Sequence, residues 1–228
     1  MTRATYQVII SCLLSTLLYS GQTLAGVGET GKVETATEVL KQITAIPEQG
    51  IPPALLKNAY GLAVIPGVLK AGYVVGGSYG KGILTVREDK GRWSPPLFVK
   101  LIAGSIGWQI GVDSTDLVLV FRTKKSVDGI VKGTFTLGAD AAVAAGPVGR
   151  SGAAATDAEL KAEILSYSRS RGLFAGLSLE GSQISIDHDA DAAFYGKALR
   201  PTRIMNGEGN NPEAGQKFLQ EVNQATGD

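Results

Sequence analysis

The sequence predicts an α+β fold, in which a curled antiparallel β-sheet of barrel-like or sandwich-like form carries helices at the N- and C-terminal ends. Residues 59–121 are rich in β-branched and aromatic residues interrupted by glycine, which is typical of strands. Both ends of the chain carry apolar residues at helical spacing. The 30 glycines among 228 residues follow no collagen-like period, and they indicate many turns and strand irregularities.

The first 25 residues differ from the rest of the chain. Arg3 supplies a positive charge, an apolar run of 12 residues covers Val8–Tyr19, and small residues lead to Ala25. This order is typical of a secretory signal peptide, and the run is shorter than the ~20 residues of a transmembrane helix. We therefore expect a signal peptide over 1–25 and a single domain over 26–228. The single cysteine, Cys12, would leave with the leader, so packing alone must stabilise the mature chain.

Residues 31–46 predict the N-terminal helix, which Pro47 ends. Its polar face is partly acidic, which favours packing on the core over binding at a membrane interface. Pro52 opens a short turn or helix that reaches Asn58. The apolar stripe of the first helix consists of Val33, Ala36, Val39, Leu40, Ile43 and Ile46.

The middle of the chain predicts antiparallel strands, with a hairpin turn at 88–91. The expected strands lie near 61–65, 71–77, 82–87, 97–103, 106–112 and 116–121.

The C-terminal half predicts a mixture of helices and strands. Its final helix would turn Ala214, Phe218, Leu219 and Val222 inward. The expected elements are a helix over 124–130, a strand and a Gly/Ala-rich segment within 133–149, a hairpin of strands 162–170 and 173–186 around Arg171-Gly172, a helix over 189–197 and a helix over 212–225.

The stretch GGSYGKG at 76–82 resembles three catalytic or nucleotide-binding patterns, and each of them fails. Ser78 has the spacing of a hydrolase nucleophile, but a strand-like segment follows it instead of a helix. Gly80-Lys81 lacks the earlier glycine and the Ser/Thr of a phosphate-binding loop. The glycine order is also the reverse of the dinucleotide fingerprint. We interpret the stretch as a bend between two strands, and a hydrolase that pairs Ser78 with His188 is kept as an alternative.

Asp187, Asp189 and Asp191 have the opening spacing of a calcium loop, but Ala192 and Ala198 stand where that loop needs Gly and Glu. Capping of the following helix is the interpretation we adopt. We predict no metal site, no cofactor and no catalytic residue. Without Arg3 the chain carries 21 acidic residues and an equal number of basic ones, so bulk charge does not favour a nucleic-acid partner.

Basic residues lie among aromatic ones in the central strands. One interpretation is that they are solvated strand ends. The other is a site for anionic head groups, where each Lys or Arg contributes about 1 kcal/mol. The candidate lipid-binding residues are Lys70, Lys81, Arg92, Trp93 and Lys100.

Five motifs follow one another in the order of a known family. They are NAYGLAVIPGVLKAGYVVGGSYGKGILTVRE, WSPPLFVKLIAGSIGWQIGVDSTDLVLVF, AAGPVGR, SYSRSRGLFAGLSLEGSQI and FYG. Together they resemble the SYLF domain, a lipid-binding module, over roughly 35–225. The resemblance implies binding of phospholipids, phosphoinositides among them in eukaryotic members, and actin association in some members, without catalysis. In bacteria such domains often stand alone behind a signal peptide, so we expect an exported protein of the periplasm or cell envelope.

These observations predict a non-enzymatic protein that makes peripheral contact with a phospholipid membrane surface. Basic side chains would meet anionic or phosphoinositide-like head groups while Trp93 or a neighbouring apolar side chain enters the interface. The partly acidic 31–46 helix argues against a preference for phosphoinositides, and export argues against contact with actin. The main alternative is a protein-interaction scaffold of the periplasm or envelope.

Overall fold

The computed structural model describes residues 28–45, 50–72, 75–88, 91–106, 113–147, 161–170, 173–174 and 179–228. The helices are α1 (28–44), α2 (Pro53–Lys57), α3 (Lys124–Lys132), α4 (His188–Tyr195), α5 (Pro201–Met205) and α6 (Glu213–Thr226). The strands are β1 (Gly61–Gly72), β2 (Val75–Val86), β3 (Leu97–Ile106), β4 (Asp113–Phe121), β5 (Phe135–Thr136), β6 (Val143–Ala145), β7 (Ile164–Ser170), β8 (Leu173–Phe174) and β9 (Gln183–Ile186).

The nine strands of the described ranges belong to one sheet, with the order β5-β9-β3-β2-β1-β4-β7-β6 and with β8 paired to β7. The pairs are antiparallel except for β6 and β7, which run parallel. The sheet curls into a half-barrel with helices at both ends of the chain. The predicted α+β fold class is therefore confirmed.

α1 and α6 pack through the stripes that the sequence predicts, except that Ile46 lies outside the described residues. In α1 the buried residues include Val33, Leu40 and Ile43, and in α6 Phe218 and Val222 are fully buried. Burial of one such side chain contributes about 2 kcal/mol. The buried residues of helices and strands form one contiguous hydrophobic cluster. Within the described ranges, the length and apolarity of every helix fall short of what a bilayer span requires.

The prediction of separate strands at 61–65 and 71–77 is wrong, because Gly61–Gly72 forms one strand with a β-bulge. The register with β4 shifts between Ile65 and Val68, where one extra residue is inserted. Gly67 takes the left-handed conformation there, with φ of 57°. Its N–H donates a hydrogen bond of 3.0 Å to Oδ1 of Asp116 on β4. The bulge thus has its own carboxylate partner on the neighbouring strand.

The predicted bend at 76–82 is also wrong, because this stretch lies inside the continuous strand β2. Two of its glycines, Gly80 and Gly82, instead allow close contact with the bulge. A Cβ atom on Gly80 would stand 2.7 Å from Cγ2 of Ile65, and one on Gly82 would stand 2.6 Å from Cα of the same residue. No side chain fits in that space, so the glycines let β1 and β2 pack closely across the bulge.

Other strand predictions are confirmed in part. β7 and β8 form the expected antiparallel hairpin. However, the predicted strand 173–186 does not exist as one element, since its last part is β9, which pairs with β3 and β5 at the other side of the sheet. The predicted leader, 1–25, and most of the predicted strand 106–112 lie outside the described residues.

Gly82→Ala should lower the free energy of unfolding by about 3 kcal/mol, because the added methyl group meets backbone atoms of Val64 and Ile65. Urea denaturation measures this change. Gly31→Ala is the control, since nothing lies within 4 Å of its added Cβ, and alanine in a helix should raise stability by up to ~1 kcal/mol. A Gly82→Ala protein as stable as the wild type would contradict the close strand contact.

Candidate functional site

Three large apolar side chains lie exposed next to one another across the sheet. Leu69 of β1 pairs with Tyr79 of β2, and Tyr79 pairs with Ile102 of β3. Their exposed fractions are 50%, 46% and 51%. Directly opposed residues on neighbouring strands have Cβ atoms about 5 Å apart, so the three side chains form a continuous row. We call Leu69, Tyr79 and Ile102 the apolar row.

Alternation along the strands sets the position of this row. In β2, Ile83, Lys81 and Tyr79 share one face of the sheet because they are two residues apart. Ile83 is fully buried, Lys81 is half-buried and Tyr79 is exposed. The face therefore passes from the core to solvent, with a lysine at the boundary. β3 repeats this order with Phe98, Lys100 and Ile102.

The structure brings two predicted site residues together. Lys81 and Lys100 are register partners on β2 and β3, and like charges in that position repel each other. Asp187 lies between them, with its carboxylate oxygens 3.0 Å from Nζ of Lys81 and 3.1 Å from Nζ of Lys100. We call Lys81 and Lys100 the lysine pair. Their side chains are 36% and 32% exposed, whereas that of Asp187 is 2% exposed.

Asp187 also holds the start of α4. Its side chain accepts a hydrogen bond from the backbone N–H of Ala190, which confirms the predicted capping role. Burial opposes ionisation of this carboxyl, but the bonds from Lys81, Lys100 and Ala190 prevail and hold the pKa of Asp187 below its ordinary value. The hydrogen bond to Asp187 raises the pKa of Lys81, although burial acts against it. Two ammonium groups and one carboxylate leave one positive charge in excess.

A cleft of about 520 Å³ separates the apolar row from the first helix. Leu69, Tyr79 and Lys81 line one side, and α1 lines the other with residues that include Gly28 and Lys32. Lys32 contacts Glu29 of the same helix at 2.8 Å. The apolar row, the lysine pair and the cleft thus form one surface with apolar and cationic parts.

Arg92 and Trp93 lie away from this surface, where β2 ends. Trp93 is only 6% exposed, and its Nε1–H donates to a carboxylate oxygen of Asp228 at 3.1 Å. The guanidinium of Arg87 stacks over the indole ring at 4.6 Å from its centroid. The sequence hypothesis gave Trp93 a place in a membrane interface, whereas the structure gives it a place against the end of α6. Arg92 is exposed and contacts Glu88 at 3.0 Å.

The structure gives only the backbone position of Lys70. It pairs with Ser78 of β2 and Asp113 of β4, and its side chain lies outside the described part. The sequence reasoning missed Leu69, Ile102 and the bridging role of Asp187. A detectable signal was the repeated order of apolar residue, lysine and apolar residue at alternate positions of two neighbouring strands.

Ser78 and His188 do not form a catalytic pair. Ser78 pairs with Ala103, whereas Ile186 at the end of β9 pairs with Val99. Four residues of β3 separate these positions by about 13 Å, and His188 continues away from Ser78. The strand also runs through Ser78 without the turn into a helix that a nucleophile elbow needs. The described ranges contain no group of three His, Cys, Asp or Glu side chains that could hold a metal ion.

A second carboxylate is buried behind the lysine pair. Asp191 lies one turn after Asp187 in α4 and is fully buried. Its Oδ1 accepts a hydrogen bond of 2.8 Å from the backbone N–H of Phe98, and its Oδ2 has no hydrogen-bond partner within the described ranges. Burial, with a further contribution from the charge of Asp187, raises the pKa of Asp191 to about 7. Asp191 therefore titrates near neutral pH.

Asp187→Asn should lower the free energy of unfolding by about 2 kcal/mol at neutral pH. Asparagine still caps a helix, so the loss reports on the ion pairs, and their partial exposure keeps it below that of a fully buried pair. Urea denaturation measures the loss. Asp189→Asn, at an exposed position of the same helix, is the control and should change stability by less than ~0.5 kcal/mol.

The same variant has a defined pH dependence. A carboxyl whose folded-state pKa is lowered stabilises the fold above its unfolded-state pKa, about 3.9 for aspartate, and this contribution is lost as the pH falls through the folded-state value. The difference between wild type and Asp187→Asn should therefore shrink below about pH 4. A difference that stays constant down to the acid transition would mean that the ion pairs do not stabilise the fold.

Residues 102–225 match the family model described as Ysc84, Las17-binding protein actin regulator. LAS seventeen-binding protein 3 of Saccharomyces cerevisiae is 39% identical over 170 residues, which cover 73% of this chain and 37% of the relative. SH3 domain-containing YSC84-like protein 1 of Xenopus laevis is 37% identical over 180 residues, with coverage of 76% and 53%. The same-named protein of Rattus norvegicus is 32% identical over 201 residues, with coverage of 86% and 59%.

The chain thus spans between 37% and 59% of the length of these relatives. The family-model match begins at Ile102, so it includes one residue of the apolar row and the end of β3, while the lysine pair lies before it. The family model alone covers more than half of the chain, and several relatives exceed 30% identity. This chain therefore belongs to the Ysc84 (SYLF) family.

Proposed function

We propose that this chain is a non-enzymatic module that binds the surface of an anionic phospholipid membrane. The observation that carries the proposal is the apolar row beside the lysine pair on one face of the sheet. The large apolar side chains lie at the tip of the face, where they would enter the apolar part of the membrane interface. The lysines lie behind them, at the level of the anionic head groups. In this proposal the apolar row makes the apolar contact with the membrane, because Trp93 is buried against the end of α6.

The proposed contact is weak and reversible. The side chains of the apolar row are already half-buried in solution, so transfer of each into the interface contributes about 1 kcal/mol. The net charge of the lysine pair and Asp187 adds about 1 kcal/mol at an anionic leaflet. A total of about 4 kcal/mol corresponds to a millimolar dissociation constant. This magnitude fits peripheral contact and excludes permanent anchoring by this surface alone.

The proposal extends to location. The leader pattern of residues 1–25 supports export, and we propose that the protein works in the periplasm or cell envelope of a bacterium. Phosphoinositide-like head groups are one class of anionic lipid that the lysine pair could meet. The ion pairs with Asp187 and the pairing of Lys32 with Glu29 leave little excess charge for a multiply charged head group.

The double variant Tyr79→Ser/Ile102→Ser should bind anionic vesicles about 30-fold more weakly than wild type, since two apolar contacts of about 1 kcal/mol each are lost. Co-sedimentation of residues 26–228 with phosphatidylglycerol–phosphatidylcholine vesicles at low salt measures this. Tyr60→Ser is the control, because Tyr60 is 45% exposed away from the apolar row. Equal binding of the wild type to anionic and to pure phosphatidylcholine vesicles would contradict the proposed contact between the lysine pair and anionic head groups.

A second candidate function is that of a protein-interaction scaffold, and a basic cleft favours it. The cleft has a volume of about 430 Å³ and is lined by Lys57, Tyr60, Arg87 and Lys124 among others. Tyr60 offers an exposed ring surrounded by cations, and Glu88 is the acidic residue of the lining. Such a site suits an acidic peptide segment. The name of LAS seventeen-binding protein 3 supports a protein partner for this family.

Lys57→Glu/Lys124→Glu should weaken binding of a fluorescein-labelled hexaglutamate peptide at least tenfold, because both changes place negative charge in the cleft. Fluorescence anisotropy without lipid measures this affinity. Lys125→Glu/Lys161→Glu is the matched control, with the same charge change at exposed positions outside the cleft. Equal affinity for the two double variants would show that the cleft does not recognise acidic segments.

A further inference from the structure

The buried carboxylate of Asp191 has too few hydrogen-bond donors to compensate its negative charge. It has no solvent exposure, a single hydrogen bond from the Phe98 amide, and one oxygen without a partner in the described part of the chain. A buried carboxylate with so few donors is costly when it is ionised. Protonation lowers this cost, because it replaces the buried charge with a neutral carboxyl group. The burial of Asp191 therefore favours uptake of a proton even when no ligand is bound.

Asp191 is coupled to the lysine pair through Asp187. The two carboxylates lie one helical turn apart, and the charge of Asp187 acts on Asp191. Lys81 and Lys100 lie on the other side of Asp187. The group of four side chains carries two positive and two negative charges when Asp191 is ionised, and one positive charge in excess when it is protonated. A proton on Asp191 therefore changes the net charge of the membrane-facing group.

The other ionisable side chains near α4 do not provide this coupling. The Tyr195 hydroxyl donates to the Pro96 carbonyl at 2.7 Å, and burial keeps it un-ionised by raising its pKa. His188 and Asp189 are exposed at the start of the helix. On α5, which packs on β3, Arg203 is paired with Glu208 at 2.6 Å. Asp187 and Tyr195 of α4 thus interact electrostatically with Asp191, whereas Lys81 of β2 and Lys100 of β3 are paired with Asp187 and Arg203 of α5 with Glu208.

We propose that protonation of Asp191 switches the group of Lys81, Lys100, Asp187 and Asp191 from neutral to cationic, so that mild acidification strengthens the contact of the lysine pair with anionic lipid. The inference rests on the proposed membrane-binding function. Its pH range follows from the pKa of Asp191, about 7, which burial and the charge of Asp187 raise. One added net charge at an anionic leaflet corresponds to about a fivefold change in the partition constant.

The test is co-sedimentation with phosphatidylglycerol vesicles, whose charge is constant over this range, at about pH 6 and about pH 8, on either side of the Asp191 pKa. All described elements lie after residue 27, so residues 26–228 retain them. Wild type should bind about fivefold more tightly at the lower pH. Asp191→Asn should bind equally at both, with the affinity that wild type has at the lower pH. His188→Gln removes the only histidine of the chain and should keep the fivefold change.

Three outcomes of the lipid experiment would overturn the inference. Wild type that binds equally well at both pH values would reject the switch and leave the proposed membrane function intact, whereas wild type that binds at neither pH would reject both. A fivefold change that disappears in His188→Gln and persists in Asp191→Asn would assign the effect to the histidine and reject the role of Asp191.

A second measurement tests the proton uptake of Asp191 without lipid. A carboxyl with a raised folded-state pKa makes its folded state less stable as the pH rises from about 4 towards 7. The urea midpoint of wild type should therefore fall relative to that of Asp191→Asn between about pH 5 and about pH 8. Parallel midpoints over this range would show that Asp191 does not take up a proton near neutral pH, and the inference would fail.

Discussion

The bulge of β1 against the glycines of β2 is the constraint on which the rest of this surface depends. Before the bulge, Val64 shares a register position with Ile83, and both are buried. After it, Leu69 shares a position with Tyr79, and both are exposed. The single extra residue reverses the alternation of β1, because side chains alternate between faces with a period of two.

Without the bulge, Leu69 would face the core and Val68 would take the place of Leu69 at the surface. Gly80 and Gly82 make the bulge possible, since no side chain fits beneath it.

Electrostatics on this face is governed by local neutralisation. Lys81 and Lys100 would repel each other across the two strands, and the buried carboxylate of Asp187 removes most of that repulsion. The same carboxylate caps the start of α4. This arrangement uses the same charges for folding and for the proposed lipid contact. The consequence is a modest net charge, which suits a contact that forms and dissociates readily. It also explains why the charge of a single neighbouring group, Asp191, has a large relative effect.

The parts of the fold that the sequence predicts well are those set by local patterns. The stripes of α1 and α6, the cap at Asp187 and the β-rich centre all follow from spacing and residue type within short windows. The errors concern contacts between distant segments. Gly80 and Gly82 are explained by Ile65 on another strand, and the burial of Trp93 is explained by Asp228, which is 135 residues away. Likewise, the separation of β9 from β8 depends on pairing with β3, which no local pattern encodes.

The contact of Trp93 and Arg87 with Asp228 has a geometric consequence. Arg87 directly follows β2, and Tyr79 lies within β2, eight residues earlier. At the rise of an extended strand, about 25 Å separate Arg87 from Tyr79. Any polypeptide continued beyond residue 228 would start at the far end of the sheet from the apolar row. Under the proposed membrane contact, the module would therefore have a membrane-proximal and a membrane-distal pole. Whatever is attached at the distal pole would be held clear of the bilayer by the length of the central strands.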